Sequence, residues 1–353
     1  MLASVHMRTV SCSLFLFAVA CGSEVDPSIT PVNDAGLTDA GSTDAPPQAP
    51  CMFTNIDTPV GLTLTSVWGA SENDVWVGTT GRSLIANSVL LRFNGTAFTA
   101  VNSTTFDDIL DIAGTAADDV WIAATLSDSS SQTLLHWNGV ELVKAAVPAP
   151  PTLQASFRGL WPRTRSDVWL VGDSTLLRFN GAAWTKPPTF SEQSFDNFRA
   201  TVVTGSSDNE VLVGRLQSTG LRWDGTSIKS TPMPAFRALK RASVGPYWGI
   251  DTSRVNTALV SSTDGVKWTQ VRTFTTTEPQ PISLAVDASG NPWIGTSRVT
   301  IPNGYDGPFA EHLVNGSWQK SALPELDAAR AIAVAGRSVW AVGGFGKAAR
   351  CLL

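Results

Sequence analysis

The chain has 353 residues, with 25 basic and 30 acidic side chains and a formal charge of −5. Charged residues make up only 16%, where globular chains run near roughly 25%, while Gly (29), Pro (21) and Trp (13) are plentiful. This balance excludes a charged coiled coil, a helical bundle and a basic nucleic-acid binder, and favours many short strands joined by tight turns.

Residues 1–20 read as a targeting leader rather than as part of a fold. Arg8 precedes the apolar run Leu14–Ala20, which is too short to span a bilayer permanently. Ala18-Val19-Ala20-Cys21 resembles the lipobox of bacterial lipoproteins. That resemblance implies cleavage before Cys21 and acylation of its thiol; an ordinary secretory leader is the alternative. The segment 21–50 carries Glu24, Asp26, Asp34, Asp39 and Asp44, five Pro, and no basic or aromatic residue. It cannot bury enough apolar surface to offset its ordering entropy, so it is expected to be a self-repelling tether. Without leader and tether, residues 51–353 are nearly neutral.

From residue 51 onward one unit recurs. Its first landmark is Asp-Val-Trp followed by small apolar residues, as in Asp74-Val75-Trp76-Val77-Gly78. Its second is an apolar pair, a polar residue, an aromatic and Asn-Gly or Asp-Gly, as in Leu91-Arg92-Phe93-Asn94-Gly95. The central positions are Trp76, Trp121, Trp169, Leu212, Trp248, Trp293 and Trp340, spaced 36 to 48 residues apart. A period near 45 with four short strands predicts an all-β, seven-bladed β-propeller of four-stranded blades. In the first unit the strands are predicted over Leu64–Trp68, Val75–Gly78, Val89–Phe93 and Ala97–Val101. Strands lettered A to D from the centre outward then place the A–B and C–D turns on one side of the ring, the turn face. The B–C and D–A connections fall on the other side, the loop face.

Asn-Gly and Asp-Gly are favoured hairpin centres because the tightest turn needs positive φ at both residues. The repeated acids Asp74, Asp119 and Asp167 are expected to accept backbone N–H groups in the A–B turn. One carboxylate per blade leaves them too far apart to share a metal, and no metal or cofactor is expected.

The last repeat ends on Ala349-Arg350-Cys351 in a strand C with no strand D after it. Cys51–Ile56 precedes the first strand A and is expected to supply that missing outer strand. Cys51 and Cys351 then face each other, and a disulfide between them is expected to close the ring, since export permits it.

The loops on the loop face are longer and differ between repeats. Function on a repeat scaffold usually resides in such loops. The candidate binding residues there are Arg82, Phe195, Asp196, Arg199, Arg298, Tyr305, Asp306, Glu311 and His312. Catalysis has little support: past the leader only His136 and His312 remain, and no nucleophile elbow, zinc cluster or phosphate loop is present. Ser262-Thr263-Asp264-Gly265-Val266-Lys267-Trp268 resembles a shortened Asp-box of sialidases and kelch-like propellers, which implies fold and not activity. Taken whole, residues 51–353 resemble the Trp-rich propeller lipoproteins of myxobacteria, on the strength of Val67-Trp68-Gly69, Asp74-Val75-Trp76 and the Phe93-Asn94-Gly95 turn with its copies.

The function expected is that of a non-catalytic, membrane-tethered monomer that binds a protein or a glycan through its loop face, without nucleic acid. A scaffold in outer-membrane protein assembly and a sialidase-like or other carbohydrate-active enzyme are the alternatives. Gly22 after Cys21, in place of the Asp that retains lipoproteins at the inner membrane, favours the outer membrane of a bacterial envelope.

Overall fold

The computed structural model describes residues 50–81, 87–101, 106–126, 132–148, 156–188, 198–302 and 304–353. The chain divides into two units, Met1–Pro47 and Gln48–Leu353, and the described residues belong to the second. The leader, Cys21 and the tether, together with Arg82, Phe195 and Asp196, lie outside them.

Among the described residues all regular structure is β. The first repeat gives β2 (Thr63–Ser71), β3 (Asp74–Thr80), β4 (Leu90–Phe93) and β5 (Phe98–Ala100). The second gives β6 (Phe106–Ala116), β7 (Asp119–Leu126), β8 (Gln132–Trp137) and β9 (Leu142–Lys144). The third is β10 (Gly159–Thr164), β11 (Asp167–Gly172), β12 (Thr175–Phe179) and β13 (Trp184–Thr185). The fourth is β14 (Ala200–Ser207), β15 (Glu210–Arg215), β16 (Thr219–Trp223) and β17 (Ile228–Pro232). The fifth is β18 (Phe236–Lys240), β19 (Tyr247–Asp251), β20 (Thr257–Ser262) and β21 (Thr269–Phe274). The sixth is β22 (Pro281–Val286), β23 (Pro292–Thr296), β26 (Phe309–Val314) and β27 (Ser317–Ala322), with a small hairpin of β24 (Val299–Ile301) and β25 (Gly304–Asp306) inserted. The last is β28 (Ala331–Ala335), β29 (Ser338–Val342) and β30 (Lys347–Leu352), to which β1 (Thr54–Asp57) is added.

The expectation of seven separate four-stranded blades is corrected. The structure has five four-stranded blades, and β2–β9 form one eight-stranded sheet in which β3 pairs with β6. The join is at Thr80 and Asp108. It is backed by Gly81 N–H donating to Asp107 O (3.0 Å) and Ser88 N–H to Phe106 O (2.7 Å). The Thr80 hydroxyl also donates to the Asp108 carboxylate, and the Ser88 hydroxyl to Asp107 O (2.6 Å). The physical cause is an unusually long inner strand, β6, whose first residues reach the end of β3 and complete its free backbone groups.

Ring closure follows the expected route. β1 pairs antiparallel with β30, Thr54 opposite Arg350 and Asp57 opposite Lys347. Cys51 and Cys351 form a disulfide with their Cα atoms 5.9 Å apart. The first and last segments therefore share one sheet, β1-β30-β29-β28.

Neighbouring sheets pack face to face through the central aromatics. Trp169 and Val171 of β11 bury against Val211, Val213 and Trp223 of the next sheet. Trp340 of β29 buries against Val75, Phe93 and Phe98 of the first repeat, with its ring 4.9 Å from that of Phe93. Trp76, Trp169, Trp293 and Trp340 are fully buried. At about 25 cal/mol per Å² over roughly 200 Å², each contributes about 5 kcal/mol of apolar burial. Leu212 holds the corresponding place in β15. There Gly265, in the shortened Asp-box turn, sits so close that even a Cβ would meet the Leu212 side chain at 2.7 Å. The turn therefore occupies the room an indole would need.

The C–D turns depart from the expectation of positive φ at both central residues. Gly95, Gly139, Gly181 and Gly225 have φ between 89° and 94°, but the residue before each does not; only Asn315-Gly316 has both, at 50° and 75°. In the others the Asn or Asp side chain holds the turn. Asn94 Oδ1 accepts from Thr96 and Ala97 N–H (3.0 and 3.1 Å), and Asn180 Oδ1 from Ala182 and Ala183 (3.0 and 2.9 Å). This is the Asx device; among the A–B turns Asp287 uses it too, its Oδ1 accepting from Ser289 and Asn291 N–H (both 2.9 Å).

Candidate functional site

The repeated acid at the start of strand B has a different task from the one expected. It accepts a hydrogen bond from a basic residue on strand C of the same sheet. The pairs are Asp74–Arg92, Asp119–His136, Asp167–Arg178 and Glu210–Arg222, all at 2.7 Å; in the sixth repeat the acid is Asp287 of the A–B turn, 3.1 Å from His312. The base in turn covers the strand-B tryptophan. Arg92 lies 4.8 Å from the Trp76 ring centroid, and His136 stacks on Trp121 at 4.0 Å. Arg178 lies 5.3 Å from Trp169, and His312 stacks on Trp293 at 3.9 Å. Cation–π and charge-assisted contacts thus lock strands B and C together on the outer part of each sheet. Burial raises the Asp119 carboxyl, yet hydrogen bonds from His136 and Thr115 outweigh it and hold the group below its ordinary range. The repeated carboxylates are therefore engaged one by one.

Two of the loop-face candidates belong to this internal framework. His312 is buried on Trp293 and bound to Asp287. Burial pushes its pKa down, against the pull of Asp287. Glu311, on the other face of β26, is buried and receives the Arg272 guanidinium from the preceding sheet. The segment 297–311 contains a hairpin, β24–β25, and the first residues of β26.

The remaining described candidates do lie on the loop side. Arg298 donates to Leu326 O (2.7 Å) and stands 6.0 Å from the Tyr305 ring. Tyr305, in the middle of β25, is 67% exposed, and Asp306 pairs with Lys320 at 3.8 Å. Arg199 forms a bridge with Asp173 immediately before β14.

Two features of the loop face carry no landmark in the repeat. The first is a series of exposed apolar tips on consecutive B–C connections: Leu216 (58%), Val255 (99%), Tyr305 (67%) and Phe345 (74%). The turn face has exposed valines on separate turns, Val140, Val244 and Val266, and near the disulfide Met52, Leu352 and Leu353. The second is the mouth of an axial channel of about 430 Å³, surrounded by β2, β6, β10, β14, β18, β22 and β28. Its lining includes Arg158, Arg237, Lys240, Arg241 and Arg330, with Asp111 as the carboxylate among the lining residues. Asp111 Oδ2 accepts from Leu160 N–H (2.8 Å) and Oδ1 from Ile112 N–H (3.0 Å). Burial raises its pKa, and Lys240 opposes the rise. A signal for the arginines does exist: Arg158 and Arg237 each precede the central Trp of their repeat by eleven residues, and Arg330 by ten.

No family model matches the chain, and no curated protein matches it. Solved structures do. A structure of YCF48 bound to a D1 peptide is similar at TM-score 0.59 and 13% identity, over 86% of this chain and 99% of that one. YCF48 from Cyanidioschyzon merolae is similar at TM-score 0.59 and 10% identity, over 85% and 99%. The WD40 β-propeller domain of Doa1 is similar at TM-score 0.59 and 10% identity, over 86% and 96%. At such identities the likeness shows the fold alone: this chain is a β-propeller.

Proposed function

We propose that this protein is a non-catalytic, membrane-tethered propeller that binds a protein partner through its loop face. The observation that carries the reading is the series of exposed Leu216, Val255, Tyr305 and Phe345 on successive loops of one face. Large apolar side chains at adjoining loop tips cost solubility unless a partner covers them, and aromatic tips are typical interface anchors. A structural neighbour bound to a peptide makes the same use of a propeller plausible here. Both histidines available for catalysis sit in Asp–His–Trp stacks that hold strands together.

The tether reading fits this arrangement. Cys51, where the described propeller begins, is bonded to Cys351 at the C–D turn end of β30. That end belongs to the turn face, opposite the apolar loop tips. A lipid on Cys21 would hold the propeller through a spacer of residues 22–50. The disulfide supports an oxidising compartment, hence export, and Gly22 supports the outer membrane of a bacterial envelope.

The test replaces the loop tips. Phe345→Asp with Tyr305→Asp is expected to abolish recovery of a partner cross-linked in intact cells, while Val140→Asp on the turn face leaves it intact. Equal recovery from both variants would overturn the reading. Cys21→Ser is expected to move the protein from the membrane to the soluble fraction.

A further inference from the structure

The innermost strands share one irregularity. In β2, β6, β14, β18 and β22 the pairing with strand B shifts by one residue, at Thr65, Leu110, Thr201, Arg237 and Ile282 respectively. β10 and β28 repeat it at their edges. Arg158 N–H donates to Val171 O (2.8 Å) although Gly159 is the partner of Val171, and Arg330 N–H donates to Val342 O (2.8 Å) although Ala331 is the partner of Val342. A bulged residue is re-aimed out of the pleat. Here every bulged residue lines the channel, at one level, on the side where the strands leave the loop face.

Three of these equivalent positions are arginines: Arg158, Arg237 and Arg330, all exposed. Arg158 pairs with Asp173 and Arg330 with Asp327, each through Nη2 at 2.8 Å, so these carboxylates engage one nitrogen of each five-donor guanidinium. Arg237 has no ion pair among the described residues. Asp111, one level deeper, has an oxygen committed to each of two backbone N–H groups. Elsewhere this fold pins a strand-C base on both a carboxylate and an indole, as with Arg92 and Arg178. Arg237 has neither, so structural duty does not account for it. Arg158 and Arg330 are each balanced by one carboxylate, so the unneutralised charge at this level is that of Arg237, with the spare donors of Arg158 and Arg330 at the same level.

We propose that Arg158, Arg237 and Arg330 form a carboxylate-binding ring at the loop-side mouth of the channel, which takes an acidic segment of the partner bound by the loop face. This rests on the protein-binding reading above and adds the chemistry that selects the partner. Guanidinium forks match carboxylate geometry with two parallel hydrogen bonds. The channel volume of about 430 Å³ admits a few side chains and no folded element. The apolar tips around it suit a polypeptide, whereas three cations on a chain of charge −5 are too few to hold a nucleic-acid backbone.

The test uses the full disulfide-bonded chain in detergent and fluorescein-labelled hexaglutamate, with hexalysine as counter-probe, read by anisotropy at low salt. Hexaglutamate is expected to bind and hexalysine not. Arg237→Gln is expected to weaken binding about tenfold, as for loss of a charge-assisted fork, and the triple change of Arg158, Arg237 and Arg330 to Gln to remove it. Arg254→Gln, at a rim residue paired with Asp251, leaves it unchanged. Arg237→Lys recovers part of the affinity, which separates loss of charge from loss of fold. Binding of hexaglutamate amidated at its C-terminus assigns the site to side-chain carboxylates, and loss on amidation assigns it to a terminal carboxylate; either supports the ring. Equal binding of both peptides, binding indifferent to the triple change, or displacement by equimolar inorganic phosphate would overturn it. If the triple variant still captures the cellular partner and Phe345→Asp does not, the ring fails and the loop-face reading stands. If Phe345→Asp has no effect on capture, the loop-face reading itself fails.

Discussion

Removing the closing disulfide by Cys51→Ala with Cys351→Ala perturbs the unfolded chain far more than the folded one. The bond closes a loop with a sequence separation of 300. Chain-entropy reasoning then gives a loss of about 6 kcal/mol at 25 °C. The folded state retains the four-residue pairing of β1 with β30, so the sheet itself is expected to survive. With an unfolding entropy of about 2.1 cal/mol/K per residue over the propeller, that loss corresponds to a Tm lower by about 9 °C. Differential scanning calorimetry of the double variant beside the parent measures it. Amide exchange at Thr54–Asp57 reports whether the closing strand still docks. A Tm within about 2 °C of the parent would refute the reasoning, because it would mean that the covalent closure does not restrict the unfolded chain as the loop-entropy argument requires.

Other expectations follow from single contacts. The backbone carbonyl of Ser156 occupies the space of a Cβ at Gly172, so Gly172→Ala is expected to destabilise by about 2–4 kcal/mol in urea unfolding. Trp169→Ala empties a fully buried site between two sheets and is expected to cost about 3–5 kcal/mol by the same measurement. Leu212→Trp restores the repeat's consensus residue yet is expected to destabilise by about 1–3 kcal/mol, since Gly265 fills that space. The His312 imidazole is held below its ordinary value of 6.5, first by burial. The unfolded chain therefore takes up the proton more readily. This contribution is fully present above pH 6.5 and lost as pH falls through the window beneath it. Urea midpoints measured across pH 5–7 are expected to flatten in His312→Gln.

Much of the fold is legible because its landmarks are local. Asp-Val-Trp marks strand B through a turn and a buried indole, and Asn-Gly marks the C–D hairpin through one positive-φ glycine and one Asx side chain. The unpaired ends of the chain and the two lone cysteines point to ring closure for equally local reasons. The joining of the first two repeats is not legible. It depends on where Ser88 and Phe106 meet across separate connections, and no repeat position encodes that. The acids beside strand B are conspicuous, but their partners on strand C stand eleven to twenty-five residues away, and only the antiparallel register of B with C brings them together. That register also explains His312. Read from sequence it closes a long variable loop, while in space it repeats the place of His136 on a tryptophan. The arginines of the channel mouth escape a reading anchored on Trp and Asn-Gly because a pairing irregularity, a bulge at Arg237 and an edge contact at Arg158 and Arg330, is invisible in a hydrophobic pattern.

The most direct test of protein binding by the loop face is site-specific photo-cross-linking in intact cells, with the reactive residue placed at Phe345, at Leu216, or at Val140 on the turn face. The account predicts one discrete partner, the same from Phe345 and Leu216 and lost in Tyr305→Asp, and no such product from Val140. The same product from all three positions, or none from the loop tips, would contradict it.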